Sequence, residues 1–295
     1  MEKMEFKSRI TRNEIEEFRK ECLTKIHEDE EFYSLIKKDF SDEEIESNIA
    51  KFSKYHSDYL LNKEVKTYAE CKKINKFFWY TLIKVDGRIE ISEREMDGYS
   101  NFVSYKNHFI CADFDLDEYY GYKLTQLPRK ELAVLIKDRA KSKANSFYIH
   151  GSSGTFKTSA AIAMCNGYIL NKDYFVCFLN TFKRFAELSE FYFSKSNKDL
   201  FLARMKTISE AKVLVLDGLG EEYKNEIVRD VILIPILRER SKNKDLITIY
   251  TSEYTLDEIV QMYSLKDKND FISRKIKEYI SIGMKMPIDS GSFSI

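Results

Sequence analysis

The chain has 295 residues, long enough for one large domain or two ordinary ones, and its 43% hydrophobic content excludes a largely disordered protein. Lys plus Arg equals Asp plus Glu, 48 against 48, so no global positive field draws it onto nucleic acid or anionic lipid, and any such contact must come from a local patch. The five cysteines (Cys22, Cys71, Cys111, Cys165, Cys177) are too dispersed for a zinc clamp or a secreted disulfide scaffold, so reduced, mostly buried thiols are expected.

The N-terminal stretch MEKMEFKSRITRNEIEEF is charged from its second residue and lacks the apolar core of a signal peptide. No apolar run approaches membrane-spanning length, so the expectation is a cytoplasmic protein with no membrane partner. Thr11 with Glu14 and Ser41 with Glu44 form capping boxes, and the spacing predicts two or three helices between about Thr11 and Asn62. In FFWYTLIKVDGRIEIS, Asp86-Gly87 separates two runs rich in aromatic and branched residues, which predicts a tight hairpin within a small α+β module. Glycine and proline are scarce, so the domain boundary is placed by the change in pattern near Ala112, giving residues 1–111 and 112–295. Beyond it AVLIKDRAKSKA reads as a helix, and SFYIH, YFVCFLN, KVLVLD and LITIYTS read as buried strands separated by helical segments. That alternation predicts an α/β domain whose parallel sheet is covered by helices.

The segment Phe147-Tyr148-Ile149-His150-Gly151-Ser152-Ser153-Gly154-Thr155-Phe156-Lys157-Thr158 runs from strand to loop to helix. A triphosphate needs inward-turned backbone amides, glycines where the chain turns sharply, a lysine for the β and γ charges, and a hydroxyl for magnesium. Gly151, Gly154, Lys157 and Thr158 occupy those places, with Ser153 and Thr155 completing the loop. The pattern asks for glycine immediately before the lysine, and this chain has Phe156, whose side chain is expected to crowd the phosphates or force the loop open.

Lys212 to Asp217 reads as a buried strand ending in a carboxylate, the form of a Walker B strand. Asp217 would then hold magnesium together with Thr158; the alternative is that it caps the following helix. A second carboxylate should follow to orient the attacking water, but the next residue is Gly218, and Glu221 and Glu222 stand further on. The strand Leu246 to Thr251 leads into Thr251-Ser252-Glu253, where a polar group should meet the γ-phosphate, and an ionised Glu253 repels phosphate unless a cation or proton intervenes. Normal hydrolysis is therefore not assumed.

The segments GSSGTFKT, VLVLDGLGEE, VRDVILIPILRER and TIYTSEYTLDEI occur in the order found in the AAA+ bacterial replicative-helicase loaders, and the chain most closely resembles the DnaI type over about two thirds of its length. The Arg229-Asp230 pair and the run Tyr254 to Ile259 make the likeness more specific than a generic P-loop. Cys71 followed by FFWYTLIKVDGRIEI resembles the family's helicase-binding domain, whose further zinc ligands are missing here, so no zinc is expected. The hairpin's aromatic residues either contact the partner or simply hold the domain's shape. By the same resemblance, Arg274 and Lys275 lie where an arginine-bearing helix reaches nucleotide in the same or an adjoining subunit; the alternative is a solvated basic face.

The resemblance implies a helicase loader that binds ATP or ADP with Mg2+, grips the hexameric replicative helicase and helps pass single-stranded DNA into it. Self-association is left open. Asp217, Glu253, Arg274 and Lys275 are the catalytic candidates. The short tail argues against a replication initiator, which appends a DNA-reading helical domain. Two rivals stand beside this reading. One is a non-hydrolysing helicase adaptor, favoured by Phe156, Gly218 and Glu253; the other is a transposition helper ATPase, against which the N-terminal hairpin module argues.

Overall fold

The computed structural model describes residues 11–264 and 271–291. The charged stretch before residue 11 and the last residues of the tail lie outside the described residues. The chain divides into two compact units, Met1–Ser104 and Tyr105–Ile295.

In the first unit, helices α1 (Arg12–Glu28), α2 (Glu30–Ile36), α3 (Asp42–Ser47) and α4 (Ile49–Glu64) occupy the stretch for which two or three were expected. Both expected capping boxes form, at Thr11 with Glu14 and at Ser41 with Glu44. The additional break comes from Asp29, whose carboxylate accepts the Phe32 amide at 3.0 Å and restarts the helix there. After α5 (Tyr68–Ile74), strands β1 (Phe78–Val85) and β2 (Arg88–Glu95) form the expected antiparallel hairpin, with Val85 opposite Arg88. Asp86 and Gly87 both have positive φ, 49° and 76°, which matches the twist of the flanking strands. Tyr80 and Leu82 of β1 pack into a core with Phe32, Ile36, Ile45 and Phe52. Cys71 is fully buried beside Val65 and Met96, and burial pushes its thiol pKa up.

The division falls within α6 (Asp97–Asn107). The boundary expected at residues 111 and 112 lies inside strand β3 (Phe109–Ala112), which the second unit's sheet claims through the pairing of Cys111 with Cys177. There follow α7 (Lys130–Lys141), β4 (Ser146–His150), α8 (Lys157–Lys172), β5 (Val176–Asn180), α9 (Thr181–Phe193) and α10 (Lys198–Glu210). After β6 (Val213–Asp217), a π-helical stretch (Ile227–Leu233) runs into α11 (Ile234–Lys242), then come β7 (Ile247–Ser252), α12 (Leu256–Met262), α13 (Phe271–Ser281) and β8 (Ile288–Asp289).

Among the described residues β3 to β8 form one six-stranded, all-parallel sheet in the order β3-β5-β6-β7-β4-β8. The four strands read from the sequence are largely buried; β4, β5 and β6 each show four consecutive buried residues before a half-buried end, and β7 five after a half-buried start. The chain leaves β4 and skips two strands before returning at β5, so β4 sits at the reversal of strand order where α/β sheets bind ligands. The register pairs His150 with Ser252 and Asn180 with Asp217, which brings the C-terminal ends of these strands to one edge. The helices pack a continuous apolar core against the sheet, including Tyr148, Leu214, Leu216, Phe185, Ile232 and Ile276.

Among the described residues no helix is long and apolar enough to cross a membrane. All five cysteines are free, and Cys111 alone is not buried.

Candidate functional site

The loop between β4 and α8 is built from backbone that only a few residue types accept without strain. Gly151 has φ 142°, and a Cβ there would run into Ser290 and Gly291. Gly154 has φ 76°. Phe156 is in the left-handed region, φ 65° and ψ 25°, immediately before the first residue of α8. This explains why the phosphate-loop pattern calls for glycine there, since a residue with a Cβ incurs about 1–2 kcal/mol in that conformation. The loop keeps the glycine geometry with a phenylalanine in it, and the side chain is half-buried at the cavity wall.

The Lys157 ammonium donates to the carbonyls of Gly151 at 2.8 Å and Ser152 at 2.7 Å, so it lies over the loop that a phosphate would fill. Burial lowers its pKa, and Glu253, Glu221 and Asp217 pull it back up in part. The Thr155 hydroxyl is committed elsewhere: it donates to the Ser152 carbonyl at 2.8 Å and is 2.6 Å from the Ser290 hydroxyl. Ser290 follows β8, and its hydroxyl donates to the His150 carbonyl at 2.8 Å.

Opposite the loop, Asp217 ends β6 and accepts from the Thr158 hydroxyl at 2.8 Å and the Thr251 hydroxyl at 2.6 Å. Burial pushes its pKa up, while the two hydroxyls and the Lys157 charge act in the other direction. Asp217 thus closes onto the first turn of α8 and does not act as a helix cap. A hydroxyl and a carboxylate oxygen side by side fit a magnesium ion, which takes few protein ligands and fills its shell with water and phosphate oxygens. Among the described residues no group of three or more His, Cys, Asp or Glu is gathered for a metal.

These groups line a cavity of about 330 Å³ bounded by the loop from Ser153 to Ser159 and by Asp217, Gly218, Glu221, Thr251, Ser252 and Glu253. That volume is within the range of small-molecule sites, about 300–1,000 Å³. The structure therefore brings together Ser153, Gly154, Thr155, Phe156, Lys157, Thr158, Asp217 and Glu253. Gly151 lies one step further back, at the end of β4.

Arg274 and Lys275 are not brought to this cavity. On α13 the buried positions are Ser273, Ile276 and Ile280, which leaves Arg274 exposed, while Lys275 donates to Glu278 at 2.7 Å. Arg229 is also remote in role: it is buried and donates to Asp230 at 2.6 and 2.9 Å and to the Tyr263 carbonyl at 3.1 Å, bracing the π-helical stretch. Of the two glutamates after Gly218, Glu222 is buried, accepts the Gly220 amide at 2.9 Å and takes the Tyr263 hydroxyl. Glu221 lines the cavity, where partial desolvation of its carboxylate and the charges of Asp217, Glu253 and Glu222 raise its pKa.

Sequence reasoning placed Thr251 only within the polar run expected at the γ-phosphate and gave Ser290 no role. Thr251 carried a signal, a hydroxyl at the end of a buried strand. Ser290 carried none, because its strand is only two residues long.

No family model and no curated protein matches the sequence. Solved structures do match. The crystal structure of DnaI is similar at 20% identity, covering 62% of this chain and 97% of that one, with a TM-score of 0.51. The DnaC helicase loader is 20% identical over 58% of this chain and 98% of its own, with a TM-score of 0.44. AMPPCP-bound DnaA from Aquifex aeolicus is 17% identical over 58% of this chain and 49% of its own, also at 0.44. The likeness to DnaI shows a shared fold over 62% of this chain.

Proposed function

We propose that the protein is a replicative-helicase loader of the cytoplasm whose second unit binds ATP with Mg2+. The observation that carries the nucleotide reading is the 2.8 Å hydrogen bond from Thr158 to Asp217, which joins the start of the phosphate-loop helix to the end of the Walker B strand. In the nucleotide complex the Lys157 ammonium leaves the Gly151 and Ser152 carbonyls for the β and γ oxygens. Thr158 and Asp217 would hold a magnesium ion, which would supply charge neutralisation to the phosphates. The backbone amides at the start of α8 hold the phosphate chain.

The loader assignment rests on the resemblance in segment order and on the DnaI-like fold. It gives the hairpin unit the task of gripping the helicase and the nucleotide unit the task of helping pass single-stranded DNA. Arg274 and Lys275, which do not line their own chain's cavity, would serve a neighbouring copy if the protein self-associates. Capture of the replicative helicase by the full chain supports this reading; capture of a transposase and no helicase replaces it with the transposition helper.

The direct test of nucleotide binding is titration with a fluorescent ATP analogue and Mg2+, with Lys157→Ala as control. Saturable binding lost in the variant supports the reading, and absence of binding by the wild type overturns it. A second reading, a nucleotide-binding adaptor that does not hydrolyse, is favoured by Gly218 at the position of the second carboxylate and by Glu253 at the end of β7. Phosphate release with helicase and single-stranded DNA present separates the two.

A further inference from the structure

We infer that Glu221 supplies the water-orienting carboxylate that position 218 lacks. The argument begins with the backbone. Gly218 has φ 75°, and its carbonyl accepts both the Glu221 amide at 2.9 Å and the Thr181 hydroxyl at 2.7 Å. The first of these bonds closes a tight turn over Gly218-Leu219-Gly220-Glu221, and the second anchors it. A turn of this kind returns its fourth residue to the side of its first.

The consequence is specific to these residues. A Cβ built on Gly218 would lie 2.8 Å from Glu221 Oε2 and 2.9 Å from Glu221 Cδ. The Glu221 carboxylate therefore fills the space in which a side chain at 218 would begin. Glycine at 218 and glutamate at 221 form a coupled pair: the first leaves room and the second uses it. The carboxylate lines the same cavity as Lys157, Thr158 and Asp217.

The neighbouring acids do not compete for this place. Glu222 is buried and held by the Gly220 amide and the Tyr263 hydroxyl. Glu253 follows β7, and it is Glu221 that abuts the space beside Gly218. The assignment rests on the nucleotide-binding reading above and adds hydrolysis to it. In the reaction, a water oxygen forms a bond to the γ-phosphorus. The bond from that phosphorus to the β–γ bridging oxygen breaks, its electron pair leaving on ADP. The water's proton passes to the Glu221 carboxylate and then to solvent or the released phosphate, so that ATP and water give ADP and inorganic phosphate.

The test compares wild type, Glu221→Gln and Glu221→Asp in two assays on the full chain with helicase and single-stranded DNA: binding of a fluorescent ATP analogue and steady-state phosphate release. Wild type is expected to turn over. Glu221→Gln should lose at least about 100-fold in turnover, the lower end for a positioned general base, with analogue affinity within about threefold of wild type, and Glu221→Asp should regain part of the rate. A merely structural role would not give unchanged binding with lost turnover and partial rescue. Wild-type turnover in Glu221→Gln overturns the inference and leaves nucleotide binding standing. Wild type that binds without turning over also overturns it and favours the adaptor; wild type that does not bind removes the underlying reading as well.

Discussion

The Thr251 hydroxyl donates to Asp217 at 2.6 Å and at the same time accepts the Gly218 amide at 3.0 Å, so one side chain ties the end of β7 to the end of β6. Thr251→Val keeps the shape and removes both bonds, leaving a buried amide without its acceptor. The expected loss is about 1–3 kcal/mol, read from urea unfolding, together with weaker Mg2+-dependent ATP binding. An unchanged midpoint would show that the hydroxyl does not secure the strand ends.

Asp217→Asn should stabilise the protein without nucleotide while abolishing Mg2+-dependent binding. Burial raises the folded-state pKa of Asp217 above its unfolded value, so the folded protein holds this proton more tightly than the unfolded chain. The ionised group therefore costs stability at neutral pH, and the cost fades as pH falls through the raised pKa towards the unfolded value of about 3.9. The variant's melting midpoint should exceed wild type at pH 7. The gain should shrink at pH 4. An equal gain at both pH values would point to packing and not to charge.

At position 156, glycine and alanine report different things. Phe156→Gly removes both the ring and the cost of a Cβ at φ 65°, whereas Phe156→Ala removes the ring and keeps the Cβ. The glycine variant should be more stable than the alanine variant by about 1–2 kcal/mol. If the ring obstructs the phosphates, both variants bind the ATP analogue more tightly than wild type. Equal stability of the two would mean that the loop relaxes out of the left-handed conformation once the ring is gone.

Ser290→Ala should loosen the phosphate loop from a distance in sequence. Its hydroxyl donates to the His150 carbonyl at 2.8 Å and lies 2.6 Å from the buried Thr155 hydroxyl. Losing it is expected to cost about 1–3 kcal/mol and to speed hydrogen exchange in the loop between β4 and α8. Exchange unchanged there would show that the Thr155 to Ser152 bond suffices.

The sequence was informative wherever a physical rule acts over a short window. Buried parallel strands are continuous apolar runs, so β4 to β7 were legible, and Asp86-Gly87 marked a hairpin because two left-handed residues match strand twist. Lys157, Thr158 and Asp217 could be singled out because the pattern sets two of them at the start of α8 and one at the end of β6, and the structure brings them to one cavity. Strands β3 and β8 were not, since four and two residues carry no usable periodicity and depend on pairing with distant partners. The place of Glu221 was hidden for a related reason. Its proximity to Gly218 follows from a turn, and no spacing rule reports which way a turn aims its fourth side chain. Arg274 and Lys275 were assigned by analogy, and the burial of Ser273, Ile276 and Ile280 decides where they face.

The pairing of β4 with β8 also sets an order of events during synthesis. The strand that carries the phosphate loop is made at residues 146–150, gains β7 only once residues 247–252 exist, and gains β8 only once residues 288–289 follow. The hydrogen bonds that reach the loop from β7 and the residues after β8, to Gly151 from Ser252, to Ser152 from Gly291 and to Thr155 from Ser290, come from this late part of the chain. A chain still emerging from the ribosome can fold its N-terminal unit early while the cavity at the end of β4 stays unfinished, so that cavity is completed only after residues 288–291 have been made.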